Sequence, residues 1–208
     1  MDITLIRYGD EALPEIKQHL VDGQPVVLPN PSPLPYMVVA VSPGTVNRLK
    51  GRPVEQPVAS FIGHFDRVKA HVDLDPEGLE VAETCLVERQ MTVLCPVLDD
   101  RQVPAFLLPS LDRDHVLLFA AHLAGIQQLC RSFPALYVSS GNMTGLPPET
   151  RCRDVRSQFE EGGSLGCRLL VADGDHLRDR HLPHGSTTMV SISRTGKRSV
   201  VRRGIQPL

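Results

Sequence analysis

"VVLPNPSPLPYMVV" (residues 26–39) sets four prolines between two apolar runs. Val26, Val27 and Leu28 read as a strand arriving, and Met37 onward as a strand leaving. Pro29, Pro31, Pro33 and Pro35 have no amide hydrogen to give a ladder, so the residues between the runs form a loop. Alternate prolines also keep that loop extended and stiff. Taken alone it is a rigid connector between two buried strands. The segments around it give it more to do.

Working outward, Asp10 is placed to cap a helix carrying Leu13, Ile16, Leu20 and Val21 on one face, and Gly23 ends it. A strand at about 24–28 enters the proline loop and another at about 36–41 leaves it. Ser42-Pro43 then opens a short helix that stops at Gly51. Val58 to Ile62 reads as a strand, and Pro76 to about Val87 as a helix with Leu79, Val81, Ala82 and Leu86 facing the core. Short strands are expected at about 91–97 and 103–108. Asp112 or Asp114 is expected to cap a long helix reaching Arg131. "ALYVSS" is a buried strand, "GNMTGLPPET" a loop, about 151–160 a helix and "CRLLVA" a further strand. "TTMVSIS" and "SVVRRG" meet across "RTGK" as a closing hairpin. Helices and strands alternate while the end is a hairpin, so the chain is read as one α/β domain spanning 1–208, with a mixed sheet and flanking helices.

Composition narrows the function. Aromatic residues are 4% of the 208 and Trp is absent, which disfavours a base-stacking platform. A net charge of −2 excludes a globally basic nucleic-acid binder but allows a local anion site. "MDITLIRYGD" is not a secretory signal, and no run approaches the ~20 apolar residues of a membrane span. Cys85, Cys95, Cys130, Cys152 and Cys167 are odd in number and contain no CxxC, so free thiols and a cytoplasmic location are expected.

Four segments could carry chemistry. In "NRLKGRPVEQP" (47–57), Arg48, Lys50 and Arg52 gather where a short helix ends, which suits a polyphosphate or simply complements the helix dipole. "SSGNMTG" (139–145) follows a buried strand, where small hydroxyls, an amide and two glycines let backbone approach a ligand. Arg194, Lys197, Arg198, Arg202 and Arg203 form a basic run, of which one inward-facing arginine would serve an anion site. His176, His181 and His184 match no metal-ligand spacing and read as a surface loop, so no metal ligands are assigned.

Taken in order, these segments resemble the YrdC-like family, whose best-known members are L-threonylcarbamoyladenylate synthases. The matching residues are Lys50, Arg52, Pro53 and Pro57, then Thr92, then Ser140, Asn142, Thr144 and Gly145. Ser186 and Thr187 follow, and Arg203-Gly204 close the series. The resemblance implies a twisted mixed sheet around a concave, positively charged cavity. It also implies a reaction of ATP, bicarbonate and an amino acid that yields an acyl-adenylate and pyrophosphate, a step used in tRNA modification. On that basis Lys50 and Arg52 would be catalytic and, with Ser140, Asn142 and Arg203, would hold the nucleotide. Ser32, Thr92 and Ser186 would hold the other substrates, and Mg2+ would bridge the ATP phosphates.

The chain departs from the family's pattern on one side. Pro29 takes the family's Pro, but residues 30–35 lie over Thr-Asp-Thr-x-Tyr-Gly with Ser32 alone chemically close. Leu34 stands at the Tyr, unless Tyr36 replaces it. Phe61 stands at an expected His, with His64 three residues late, and Leu107 at an expected Arg. The implied acceptor side is therefore less polar, and an acid or amine other than threonine is expected. Three functions fit: an adenylate-forming enzyme, a paralogue that binds nucleotide or RNA without synthesis, and a regulatory or partner subunit that keeps only the fold.

Overall fold

The computed structural model describes residues 1–98, 103–162, 166–179 and 181–207. The chain forms two compact units, each assembled from segments distant in sequence: 1–56 with 136–186, and 57–135 with 187–208. Both are α/β units with a mixed sheet, as the alternation of patterns requires.

In the first unit β1 (Asp2–Arg7), β2 (Val26–Leu28), β3 (Met37–Ala40), β8 (Tyr137–Ser140) and β9 (Arg168–Asp173) form a sheet in the order β1-β9-β2-β3-β8. The pairs β1–β9 and β9–β2 are parallel, while β2–β3 and β3–β8 are antiparallel. The β2–β3 register pairs Leu28 with Met37, so the proline loop closes a hairpin at the end of the ladder. Helices α1 (Leu13–Val21), α2 (Pro43–Leu49) and α6 (Cys152–Gly162) bury Ile16 and Leu20, Val46 and Leu49, and Val155 and Phe159. Each fully buried Leu, Ile or Phe contributes about 1.5–3 kcal/mol. Val21, expected on the core face of α1, is exposed. Asp10 lies in a 3-10 turn before α1 and its side chain does not cap the helix.

The second unit orders its strands β4 (Ala59–Ile62), β7 (His115–Ala120), β5 (Thr92–Pro96), β10 (Met189–Ile192) and β11 (Arg198–Arg202), with β6 (Leu111–Asp112) also on β7. Helix α4 (Pro76–Glu83) is capped by the Asp75 carboxylate, which accepts from the Gly78 amide at 2.8 Å, and runs on through a wider turn to Glu88. It buries Ala82 and Leu86, with Leu79 and Val81 packed partly against the same core. A short α3 (Asp66–Lys69) precedes it.

Two expectations fail here. The helix predicted from Asp112 to Arg131 is a tight turn, then β7, then α5 (Ala124–Arg131). Arg113 takes a positive φ of 59° at that turn, and β7 receives hydrogen bonds from β4 on one side and β5 on the other. A short apolar run such as "HVLLFA" fits helix and buried strand equally; paired neighbours decided it. The strand expected at 103–108 is a turn leading into a 3-10 segment (Leu108–Ser110). Pro104 and Pro109 deprive that stretch of ladder donors.

Candidate functional site

The expected site residues fall into two groups, one on each unit. On the first, α2 ends at Leu49 and the chain turns through Gly51, whose φ of 66° is the left-handed conformation glycine adopts freely. This delivers Lys50 to the carboxyl end of β8. Lys50 is 3% exposed, and its Nζ donates to the main-chain oxygens of Ser140 and Asn142. The same nitrogen stands 3.4 Å from Ser140 Oγ and 3.5 Å from Asn142 Oδ1. Burial, reinforced by the positive charge of Arg52, pulls the Lys50 ammonium down to about 7. Arg52 donates through Nε to Asn47 Oδ1, and partial burial lowers its pKa. Asn47 in turn donates to the carbonyls of Val54 and Gln56 at 2.8 Å, fixing the turn that carries Arg52. The Asn142 amide donates to the Met143 carbonyl at 2.9 Å and to the Leu146 carbonyl at 2.6 Å. The structure thus brings Lys50, Arg52, Ser140 and Asn142 into one cluster.

Ser32 lies on the proline loop, away from this bonding network. Its Oγ accepts from the Asp179 amide at 2.8 Å and stands 3.4 Å from His184 Nε2. Tyr36 does not line a surface: it is fully buried and binds four ways. Its hydroxyl donates to Asp175 Oδ1 at 2.7 Å and accepts from the Gly174 amide at 2.9 Å. Its carbonyl accepts from Gly141 at 2.7 Å, and its amide donates to the Glu149 carbonyl at 3.2 Å. Burial and the bond to Asp175 push the Tyr36 phenol far above its ordinary range. Tyr36 therefore ties the proline loop to the 139–145 loop and to the end of β9. Ser186 is part-buried.

On the second unit, Thr92 is buried, and its hydroxyl meets that of Thr187 at 2.8 Å. Arg203 is exposed just beyond β11. Arg202, the last residue of β11, is exposed too, and its Nη2 donates to the Thr187 carbonyl at 3.1 Å and to its hydroxyl at 3.2 Å. Phe61 is buried and stacks on Phe119, ring centroids 6.2 Å apart. Leu107 belongs to the unit's hydrophobic core. An apolar residue there is a packing element rather than an exposed wall.

Sequence reasoning missed Arg178. Its Nη1 donates to the Leu34 carbonyl at 2.6 Å, and its guanidinium carbon lies 4.7 Å from the centre of the Tyr36 ring. An isolated arginine in a polar, histidine-bearing stretch carries no periodic or motif signal. Among the described residues, no His, Cys, Asp and Glu cluster could hold a metal ion. No helix among them is long and apolar enough to cross a membrane.

Residues 20–204 match the family model for Sua5, YciO and YrdC proteins, described as telomere recombination. The chain belongs to this family. Its fold is shared with P. abyssi Sua5 (TM-score 0.70, 18% identity, 97% of this chain and 60% of that one). It is also that of P. abyssi Sua5 complexed with L-threonine (TM-score 0.68, 19% identity, 98% and 57%). E. coli YciO is matched over nearly its whole length (TM-score 0.70, 12% identity, 99% and 96%). The chain therefore spans about 60% of the length of the Sua5 chains it matches. No curated protein sequence matches it.

Proposed function

We propose that the chain is an ATP-dependent adenylate-forming enzyme that joins a small amino acid or related acid or amine, with bicarbonate, to AMP and releases pyrophosphate. One observation carries this reading most: Lys50, at the end of α2, meets Ser140 and Asn142 at the carboxyl end of β8. Cation, hydroxyl and amide donors at a strand's carboxyl end suit a nucleotide phosphate in an α/β sheet. The P. abyssi Sua5 complex with L-threonine supports an amino acid as the second substrate class.

In the reaction the acceptor's amine and bicarbonate first form a carbamate, the new C–N bond replacing a C–O bond of bicarbonate with release of water, and a carbamate oxygen then attacks the α-phosphorus. An acceptor without an amine would attack through its own carboxylate oxygen. The new P–O bond forms as the bond to the β-phosphate oxygen breaks, and pyrophosphate leaves. Such a displacement needs alignment and charge neutralisation more than a protein nucleophile. Lys50 and Arg52 neutralise phosphate charge, while Ser140 and Asn142 orient the nucleotide. Magnesium, when bound, supplies further charge neutralisation between the phosphates. The cluster of two cations and neutral donors fits phosphate oxygens and leaves such an ion to be held largely by the nucleotide. RNA is a further partner only in the non-synthetic reading.

The test is pyrophosphate release from ATP and bicarbonate with threonine against a panel of other amino acids, amines and acids. Release with an acceptor other than threonine, and little with threonine, is expected. Brisk turnover with threonine alone removes the altered specificity. ATP binding without release from any acceptor removes the enzymatic reading in favour of a nucleotide-binding paralogue.

A further inference from the structure

β11 (Arg198–Arg202) ends the sheet of the second unit and has a neighbouring strand on one side only, β10. All five of its residues are exposed, Val200 to 39% and Val201 to 53%. The Ser193 amide donates to the Lys197 carbonyl at 2.9 Å. Main-chain groups alternate sides along an antiparallel strand, so the N–H and C=O of Arg198 and Val200 point away from β10. Among the described residues, no main-chain group outside β10 bonds to them.

The edge is apolar at its centre and basic around it. Residues opposite one another in the ladder share a face, so Arg198 and Val200 continue the face of Ile192 and Val190. Ile192 and Val190 are fully buried in the unit's core, whereas Val200 is open. The core face of the sheet thus runs on past its last covered strand. Arg194, Lys197, Arg198, Arg202 and Arg203 stand in this hairpin with no acid between them. Asp73 answers Arg194 at 3.4 Å, and the other four make no ion pair among the described residues. Arg198 reaches the Cys85 thiol and Arg202 the oxygens of Thr187, neutral groups that leave both charges standing.

Charges on an edge strand can serve only to keep it from pairing with its own kind. A second β11 laid on this edge would set arginine against arginine, so charge argues against a second copy and for a strand of opposite sign. We propose that the outer edge of β11 docks an extended acidic segment of a partner protein as an added strand. The segment's main chain pairs with Arg198 and Val200, an apolar side chain covers Val200, and flanking carboxylates meet Lys197, Arg198 and Arg202. Exposed ion pairs are worth little singly, so the charges select the partner while the strand bonds and the covered valine hold it. The surface stands independently of the adenylate-forming reading.

The test titrates a short capped peptide of alternating glutamate and valine onto the full chain, read by fluorescence anisotropy and by backbone amide exchange. Beside it run a lysine–valine peptide, the glutamate–valine peptide N-methylated at alternate amides, and a single-stranded RNA oligonucleotide. Saturable binding of the acidic peptide is expected, with slowed exchange at Arg198 and Val200 and weakening as salt rises. The lysine peptide and the N-methylated peptide should each bind about tenfold or more weakly. Lys197→Glu combined with Arg198→Glu should weaken the acidic peptide by a similar factor. Circular dichroism checks that this variant folds; if it does not, the N-methylated peptide and the amide exchange decide on the wild-type chain alone. No saturable binding overturns the proposal and leaves the cations as a guard on the edge. Equal binding of the N-methylated peptide, or slowed exchange only away from β11, also overturns it, since contact would then be by charge without an added strand. Tighter binding of RNA that is lost in the same variant makes the strip a nucleic-acid surface and overturns it as well.

Discussion

The Lys50 ammonium donates to the main-chain oxygens of Ser140 and Asn142, and the turn after α2 is thereby fastened to the loop after β8. Two segments that read separately as a basic turn and a polar loop become one structure. A lysine buried between carbonyls, with its pKa drawn down to about 7, titrates where a phosphate ligand would have most effect on it.

A phosphate beside Lys50 favours the charged form, so ATP binding is predicted to take up a proton at that side chain above about pH 7. Calorimetry in two buffers of different ionisation enthalpy should show the uptake at about pH 8, and Lys50→Met should abolish it. The sign for stability also follows. The folded value lies below the ordinary 10.5, so the unfolded chain binds more protons between the two. The Lys50 contribution to stability is lowest below about pH 7 and rises with pH through that window. The melting temperature of the wild-type chain relative to Lys50→Met should rise accordingly.

Arg52→Ala is predicted to weaken ATP binding by about 1.5–3 kcal/mol, the range for a hydrogen bond to a charged group. Equilibrium titration with ATP checks it. Unchanged affinity would remove Arg52 from the nucleotide site.

Gly141→Ala is predicted to destabilise the first unit by about 1–3 kcal/mol, as overpacking does. A Cβ there would meet the Tyr36 carbonyl carbon at 2.8 Å and its oxygen at 2.9 Å, and both are backbone atoms engaged in the β3–β8 junction. Thermal or urea unfolding reads the effect.

Tyr36→Phe should cost about 1–3 kcal/mol in the same measurement, because it strips a partner from the buried Gly174 amide and from Asp175. A neutral result would mean that water replaces the hydroxyl.

Five thiols should titrate in the denatured, unreduced chain. In the native chain Cys167, part-buried, should react first. Cys95, Cys130 and Cys152 are buried free thiols pushed up to about 12, so little nucleophilic thiolate is available at neutral pH. A protected pair in the denatured chain would reveal a disulfide.

The sequence by itself determined the parts whose signal is local. Proline spacing made 29–35 a loop, and Ser42-Pro43 with Gly51 bounded α2. "ALYVSS" and the closing hairpin across "RTGK" read as strands and fold as β8, β10 and β11. The order of Lys50, Arg52, Ser140 and Asn142 was enough to expect a shared site. Tertiary structure decided what local pattern leaves degenerate. The Asp2–Arg7 strand carries no strong alternation and exists through its parallel pairing with Arg168–Asp173. The run 115–120 became β7 because strands on both sides supply its hydrogen bonds. Leu107 looked like a lost polar contact and is a core residue. Burial decided the roles of the cations: by sequence Lys50 and Arg178 are charges on polar stretches, and only packing removes water from them. Desolvation turns the first into a group titrating near neutrality and leaves the second with an unpaired edge.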